Sequence, residues 1–249
     1  MDSSTQSTVF NIPKLKLSSS SGHLNMPVIG LGCAVDKSDT DALKLAVLEA
    51  IKLGYRHFDT AAMYGTEKAL GEAIAEALRL GLVSSREQLF ITSKLCALQM
   101  EYLDLYLVHW PISSKPGEVG FPVPKEDLLP MDYRGVWEAM EESQMLGLTK
   151  SIGLSNFSCK KIETILTFAT IPPSINQVSL RWIVEQGATV VVKSLNLERM
   201  KQNLGIFDWK LTDDDYDKIN QISQHRLIPS DFWVSPQGPF KTLEELWDD

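Results

Sequence analysis

The sequence predicts an α/β fold in which a parallel sheet curls into a closed β/α barrel, and three observations predict it. Apolar, β-prone runs alternate with helical stretches along most of the chain. Those runs are nearly continuous in their hydrophobicity, as parallel strands covered on both faces must be. The notable polar residues, Asp59, Lys94, His109, Ser155, Asn156, Gln177 and Lys193, fall at or just after the ends of such runs, where a barrel gathers its site. A doubly wound sheet is the runner-up. It lacks its usual fingerprint, because no GxGxxG follows a strand and Gly30-Leu31-Gly32 has no third glycine.

Residues 1–8 read as a disordered tail and 9–249 as one domain. IPKLKL, SSSSGHLN and MPVIGLG read as two short strands around a polar turn, an N-terminal β-hairpin. VIGLG is itself an apolar strand, and Asp39 caps a helix that runs to Leu53. HFDT is short and β-like, Lys68–Leu80 is helical, and LFITSKL and YLDLYLVHW are strands. Trp137–Leu146 is a helix that stops at Gly147. KSIGLSNF is a strand and Lys160–Phe168 a helix; SINQV, Leu180–Gln186 and ATVVVKS give a strand, a helix and a strand. About seven parallel strands result.

The chain has 249 residues, 44% hydrophobic and 22% charged, enough for one barrel of ordinary globular composition. A net charge of −8 argues against nucleic acid as a partner, since such binding needs basic surface to displace counterions. No apolar run approaches the roughly 18–20 residues that span a bilayer, so no membrane association is expected. Cys33, Cys96 and Cys159 are odd in number and have no CxxC or CxxH spacing. That predicts neither disulfides nor zinc, but a reducing, cytoplasmic setting; a monomer is expected.

Asp59, Tyr64, Lys94 and His109 suit carbonyl chemistry. Reduction needs a proton donor at the carbonyl oxygen, and tyrosine, with a pKa near 10, is a poor one unassisted. A lysine cation beside it favours the phenolate, an aspartate holds that lysine, and a histidine can hydrogen-bond and orient the carbonyl. Each residue alone has a plainer role: a satisfied buried histidine, a surface lysine, a packing tyrosine. Their joint occurrence in order, within HFDTAAMYG, ITSKL and LDLYLVHWP, favours the chemical one.

A second cluster runs from Lys193 through Ser194, Asn196, Arg199, Gln202 and Asn203. A strand ending in Lys-Ser followed by a helix start with an arginine suits a phosphate monoester, though a solvated basic helix start has the same composition. Trp110, Phe121, Phe232 and Trp233 are loop aromatics able to line an apolar substrate pocket, and the first two could equally pack the core. Thr212 with Asp215 reads as a capping box, with Asp213 and Asp214 favouring the helix start, rather than as a metal site.

HFDTAAMYGTEKALGEAI, ITSKL, YLDLYLVHWP, IGLSNFS, NQV and VVVKSLNLERMKQNLGIFDWKLT resemble successive motifs of the aldo-keto reductases, and PMDYRGVWEAMEE and SPQGPFKTLEELWDD resemble the plant subgroup that contains chalcone (polyketide) reductases and codeinone reductase. The resemblance implies a TIM barrel, NADP(H) as cofactor and reversible reduction of a small carbonyl substrate to an alcohol. It implies Tyr64 as general acid in a tetrad with Asp59, Lys94 and His109. Ser155, Asn156 and Gln177 are implied to hold the nicotinamide carboxamide, and the cluster from Lys193 to Asn203 the adenosine 2′-phosphate. Of the loop aromatics, Trp110 and Trp233 are the candidates for substrate contact.

Two junctions depart from that pattern. Only eight residues separate Lys94 from Leu103, about 26 Å of extended chain, too short for a covering helix. NQV likewise passes directly into SLRW, where the family has a further strand with an aromatic residue that stacks on the nicotinamide. The expectation is therefore an incomplete barrel, and the alternative to a reductase is an internally deleted, catalytically impaired form that binds cofactor weakly or serves as an interaction protein.

Overall fold

A computed structural model describes residues 10–19, 22–94, 101–115, 123–171, 184–187, 189–207, 210–213, 216, 217, 221 and 230–248. The tail 1–8, Phe121, SINQV with Gln177, and Asp214–Asp215 lie outside the described residues. The chain opens with an antiparallel hairpin, β1 (Lys14–Ser19) and β2 (Gly22–Pro27), in which Lys14 faces Pro27. The second hairpin strand thus ends before VIGLG, which contributes β3 (Ile29–Gly32) to a different sheet.

That sheet has six described strands: β3, β4 (His57–Asp59), β5 (Phe90–Ser93), β6 (Leu105–Val108), β9 (Ile152–Leu154) and β10 (Val190–Val192). The numbering leaves β7 (Ser113–Ser114) and β8 (Leu128–Leu129) for a short antiparallel pair in a loop after β6. The spatial order is β10-β3-β4-β5-β6-β9, and every pairing is parallel. Strands lie beside one another in chain order, and the last joins the first. A doubly wound sheet reverses its order at a switch point; a barrel does not. The sheet is a curled, incomplete α/β barrel of the TIM type, with β9 and β10 at its two ends among the described residues.

Side-chain alternation separates its faces. Ile29, Leu31, Phe58 and Ile91 point outward into one core with α1 (Thr40–Leu53) and α2 (Glu67–Arg79). Leu43, Ala46, Val47 and Ala50 of α1, and Leu70, Ala73, Ile74 and Ala77 of α2, recur at helical spacing and form the buried stripes. Asp39 precedes α1 as expected but makes no side-chain capping bond; Gly54, at φ +109°, closes the helix. Ile152 and Leu154 pack with Trp137 of α3 (Tyr133–Met145) and Ile165 of α4 (Cys159–Leu166). α3 begins before the expected Trp137, because Asp132 caps it by accepting from the Gly135 N–H at 3.0 Å.

Inside the curl, Phe90, Leu105 and Leu107 meet Leu17 and Met26, so the hairpin plugs the floor. Gly30 earns its place here: a Cβ on it would sit 2.5 Å from Nδ1 of the His57 ring. The glycine pair noted in the sequence serves close packing. Across the abbreviated β5–β6 connection, buried Asp104 joins the strands. It accepts from the Ile91 N–H at 3.0 Å and pairs with Arg86 at 2.9 Å and Lys150 at 3.0 Å. Arg86 and Lys150 also lie over the Tyr102 ring, at 4.6 and 4.0 Å.

Candidate active site

Alternation continues past the strand ends and decides what enters the barrel mouth. His57 and Asp59, then Phe90, Thr92 and Lys94, then Leu105, Leu107 and His109, share the inward parity of their strands. On the floor His57 Nε2 hydrogen-bonds Thr92 Oγ1 at 3.0 Å. At the mouth, Asp59 and Lys94, 5% and 4% exposed, form an ion pair with Nζ–Oδ1 of 2.7 Å. Nζ also donates to the Thr60 carbonyl at 3.2 Å.

Tyr64 ends a 3-10 turn (Ala62–Tyr64), which Gly65 closes at φ +66°. That turn brings the phenol over the ion pair: Lys94 Nζ lies 5.4 Å from the ring centroid, and Tyr64 Oη lies 3.4 Å from His109 Nε2. The Tyr64 and His109 rings meet edge to face at 5.6 Å. The four residues the sequence picked out converge on one point.

Their electrostatics fit proton donation. Burial raises the Tyr64 pKa above the usual 10, and the pull of Lys94 only partly offsets it. Tyr64 is therefore protonated at neutral pH, with the Lys94 cation close enough to favour a phenolate on its oxygen. Burial, reinforced by Lys94, pushes His109 down to about 3, so its imidazole is neutral. Burial pushes the Asp59 carboxyl up against the pull of Lys94, and its Oδ2 has no hydrogen-bond partner among the described residues. Cys33 behind the pair is a free, buried thiol, raised by burial and by the Asp59 charge.

Two cavities meet at the tetrad. One, of about 500 Å³, is lined by Gly32, Asp59, Tyr64, His109, Ser155, Asn156 and Lys193, with Lys94 between it and the other. Asn156 takes the left-handed conformation, φ +61°, and its amide donates to the His109 carbonyl at 2.8 Å and to Ser155 Oγ at 3.1 Å. The second cavity, about 420 Å³, is apolar; Met63, Trp110, Ile112, Val123, Met131 and Trp233 line it beside Lys94 and His109. Sequence reasoning missed Met63, Ile112, Val123 and Met131. They are apolar loop residues, and no local signal separates such a lining from ordinary core. Phe232 packs in the same aromatic group, 6.1 Å from Trp110.

The second predicted cluster stands at the start of α5 (Leu197–Leu204). Lys193, Asn196, Arg199 and Gln202 are exposed, and Ser194 is buried. Asn196 caps the helix through Oδ1, accepting from the Arg199 N–H at 3.0 Å, and its own N–H donates to Ser194 Oγ at 3.1 Å. Asn203, later on the same helix, is half-buried. Among the described residues no group of histidine, cysteine and carboxylate side chains could hold a metal ion, and no helix is long and apolar enough to cross a membrane.

A curled parallel barrel with this tetrad at its mouth defines a carbonyl oxidoreductase scaffold. The chain belongs to the aldo/keto reductase family, which it matches over residues 29–97, 95–180 and 173–224. Successive stretches overlap at 95–97 and 173–180, where the two irregular junctions fall. Among its relatives is the NADPH-dependent codeinone reductase 1-4 of Papaver somniferum, 44% identical over 96% of this chain and 98% of the relative. Another is the NAD(P)H-dependent 6′-deoxychalcone synthase of Glycine max, 45% identical over 96% and 98%. The codeinone reductase alignment runs to 317 positions against a chain of 249 residues, so the relative carries segments this chain lacks. Of solved structures, a Bombyx mori aldo-keto reductase in complex with NADP superposes with a TM-score of 0.75 at 27% identity, covering 90% of this chain and 97% of that one. The Schistosoma japonicum aldose reductase gives 0.76 at 27%, covering 87% and 95%.

Proposed function

We propose that this protein is an NADPH-dependent carbonyl reductase that converts an apolar ketone or aldehyde of plant specialised metabolism to its alcohol. The single observation that carries the reading is the convergence of the Asp59–Lys94 pair, the Tyr64 phenol and the His109 imidazole where the two cavities meet. The substrate would occupy the apolar cavity between Trp110 and Trp233, and the names of the plant relatives support its class. We assign residues 9–249 to one barrel domain, working as a cytoplasmic monomer, in keeping with the buried free thiol of Cys33.

The residues present suit a phosphorylated dinucleotide. Ser155 and Asn156 offer a hydroxyl and an amide in the larger cavity, where they would hold a carboxamide, and Gln177 joins them by family resemblance. Lys193 and Arg199 supply cations, and Ser194, Asn196, Gln202 and Asn203 polar groups, for a 2′-phosphate at the start of α5. Bound NADPH supplies the hydride for the carbonyl carbon. The chain's own work is at the oxygen. His109 Nε2, the neutral imidazole, orients the carbonyl by a hydrogen bond, and Tyr64 Oη gives it a proton. Lys94 Nζ stabilises the resulting phenolate, and Asp59 keeps Nζ in place. Walls of tryptophan and aliphatic side chains exclude water from the apolar side.

The experiment is NADPH oxidation with aryl aldehydes and ketones by the parent chain and Tyr64→Phe. The substitution should lower kcat by about 10²–10⁴-fold while NADPH affinity holds. Undiminished turnover in Tyr64→Phe removes Tyr64 as the acid. A second reading, a catalytically impaired form, is favoured by β9 and β10 standing at the ends of the described sheet. It predicts no saturable NADPH binding by the parent chain.

A further inference from the structure

The C-terminal helix α6 (Leu243–Trp247) is fastened to the start of α4 by a buried lysine. Lys160 and Lys161 are adjacent but differ in burial: Lys160 is exposed and reaches the Asp248 carboxylate at 3.7 Å from outside, whereas Lys161 is 6% exposed. Burying an ammonium is costly unless it is fully paired. Lys161 Nζ pairs with the Asp248 carboxylate, donates to the Leu246 carbonyl at 2.9 Å and reaches the Glu245 carbonyl at 3.5 Å. It thus satisfies carbonyl groups that the end of α6 leaves open. Asp248 also accepts from the Ser158 hydroxyl, and its backbone is left-handed at φ +61°, an uncommon state for a non-glycine residue held here by both partners.

The fastened segment packs behind the aromatic wall of the apolar cavity. Leu246, 1% exposed, packs in one cluster with Leu128 and Trp233. Trp247 stands edge-on to Trp110 at 6.0 Å, and Trp233 lies 5.6 Å from Trp110. Trp110 follows His109 directly, and both it and Trp233 line the apolar cavity. The other end of the fastening is equally placed: Ser158 lies two residues after Asn156, whose amide holds the His109 carbonyl.

We infer that Lys161 and Asp248 form a clamp that sets the aromatic wall of the carbonyl cavity, so that Lys161 is a positioning residue for substrate affinity and selectivity. The inference rests on the apolar cavity being the carbonyl site, as proposed above. It does not require turnover.

Calorimetric titration of the full chain with acetophenone, and separately with NADPH, tests it. Lys161→Met keeps the length of the side chain and removes its charge; it should weaken acetophenone binding about tenfold, because small displacements of positioning groups are costly. NADPH affinity should change less than about twofold, and Lys161→Arg should recover most of the acetophenone affinity. Asp248→Asn should show the same split, and it decides the matter if Lys161→Met does not fold. Acetophenone binding that is absent from the parent chain, or unchanged in both variants, overturns the clamp; so does an equal loss of both ligands. If the parent chain binds acetophenone but never NADPH, the reductase reading fails while the acetophenone series still decides the clamp.

Discussion

Asp59 and Lys94 are an ion pair withdrawn from water, and such pairs seldom add net stability because each ion forfeits its hydration. Their value lies in placing a cation under Tyr64. Lys94→Met should therefore destabilise the fold by about 3 kcal/mol, since it strands a buried carboxylate whose Oδ2 already lacks a partner. The double substitution Lys94→Met/Asp59→Leu should recover most of that loss and restore no turnover. Urea unfolding of the three proteins measures it; a double variant no more stable than Lys94→Met contradicts the argument. At this scale the sequence was highly legible. Asp59, Tyr64, Lys94 and His109 could be named because they occur together and in order within HFDTAAMYG, ITSKL and LDLYLVHWP, although each alone has a plainer role. Met63, Ile112, Val123 and Met131 could not, because an apolar side chain in a loop carries no mark of which surface it will line.

Among the elements, the helices owe their positions to local signals and their orientation to buried stripes. Asp132 fixes the start of α3 and so aims Trp137 into the outer core and Val136 at the apolar cavity. Asp132→Ala should cost about 1 kcal/mol in urea unfolding and leave NADPH affinity unchanged. A loss below a few tenths of a kcal/mol would mean that packing alone sets the helix start. The boundary differences have the same origin. Propensity placed the start of α3 at Trp137, whereas the cap that governs it, Asp132, lies upstream of the apolar periodicity, in the MDYRG stretch. Strand periodicity merged the hairpin with VIGLG, because only the single residue Val28 separates β2 from β3.

For the whole molecule, the buried histidines make stability depend on pH. Burial pushes His57 down to about 3, and His109 likewise. An unfolded imidazole takes up its proton near pH 6.5. Between those values the unfolded state binds more protons, so stability is complete above about pH 6.5 and falls as the pH drops toward 3. His57 alone contributes up to about 1.4 kcal/mol per pH unit in that window. Urea unfolding at pH 7 and pH 5 should show the decline, and His57→Gln should make it shallower; an identical slope would place the effect elsewhere. The barrel's incompleteness was legible too, since the eight residues after Lys94 could be counted. How β5 and β6 remain joined was not. The Asp104 bridge to Arg86 and Lys150 depends on residues distant in sequence.

Whether the scaffold still brings a cofactor to the tetrad is measured most directly by thermal unfolding, followed by circular dichroism, across an NADPH titration. A functional reductase site predicts a Tm that rises and saturates with sub-millimolar affinity, by about 2.7 kcal/mol of added stability at a hundred times Kd. A Tm that stays flat into the millimolar range would contradict the central claim and leave an aldo/keto reductase chain with Asp59, Tyr64, Lys94 and His109 assembled and no cofactor beside them.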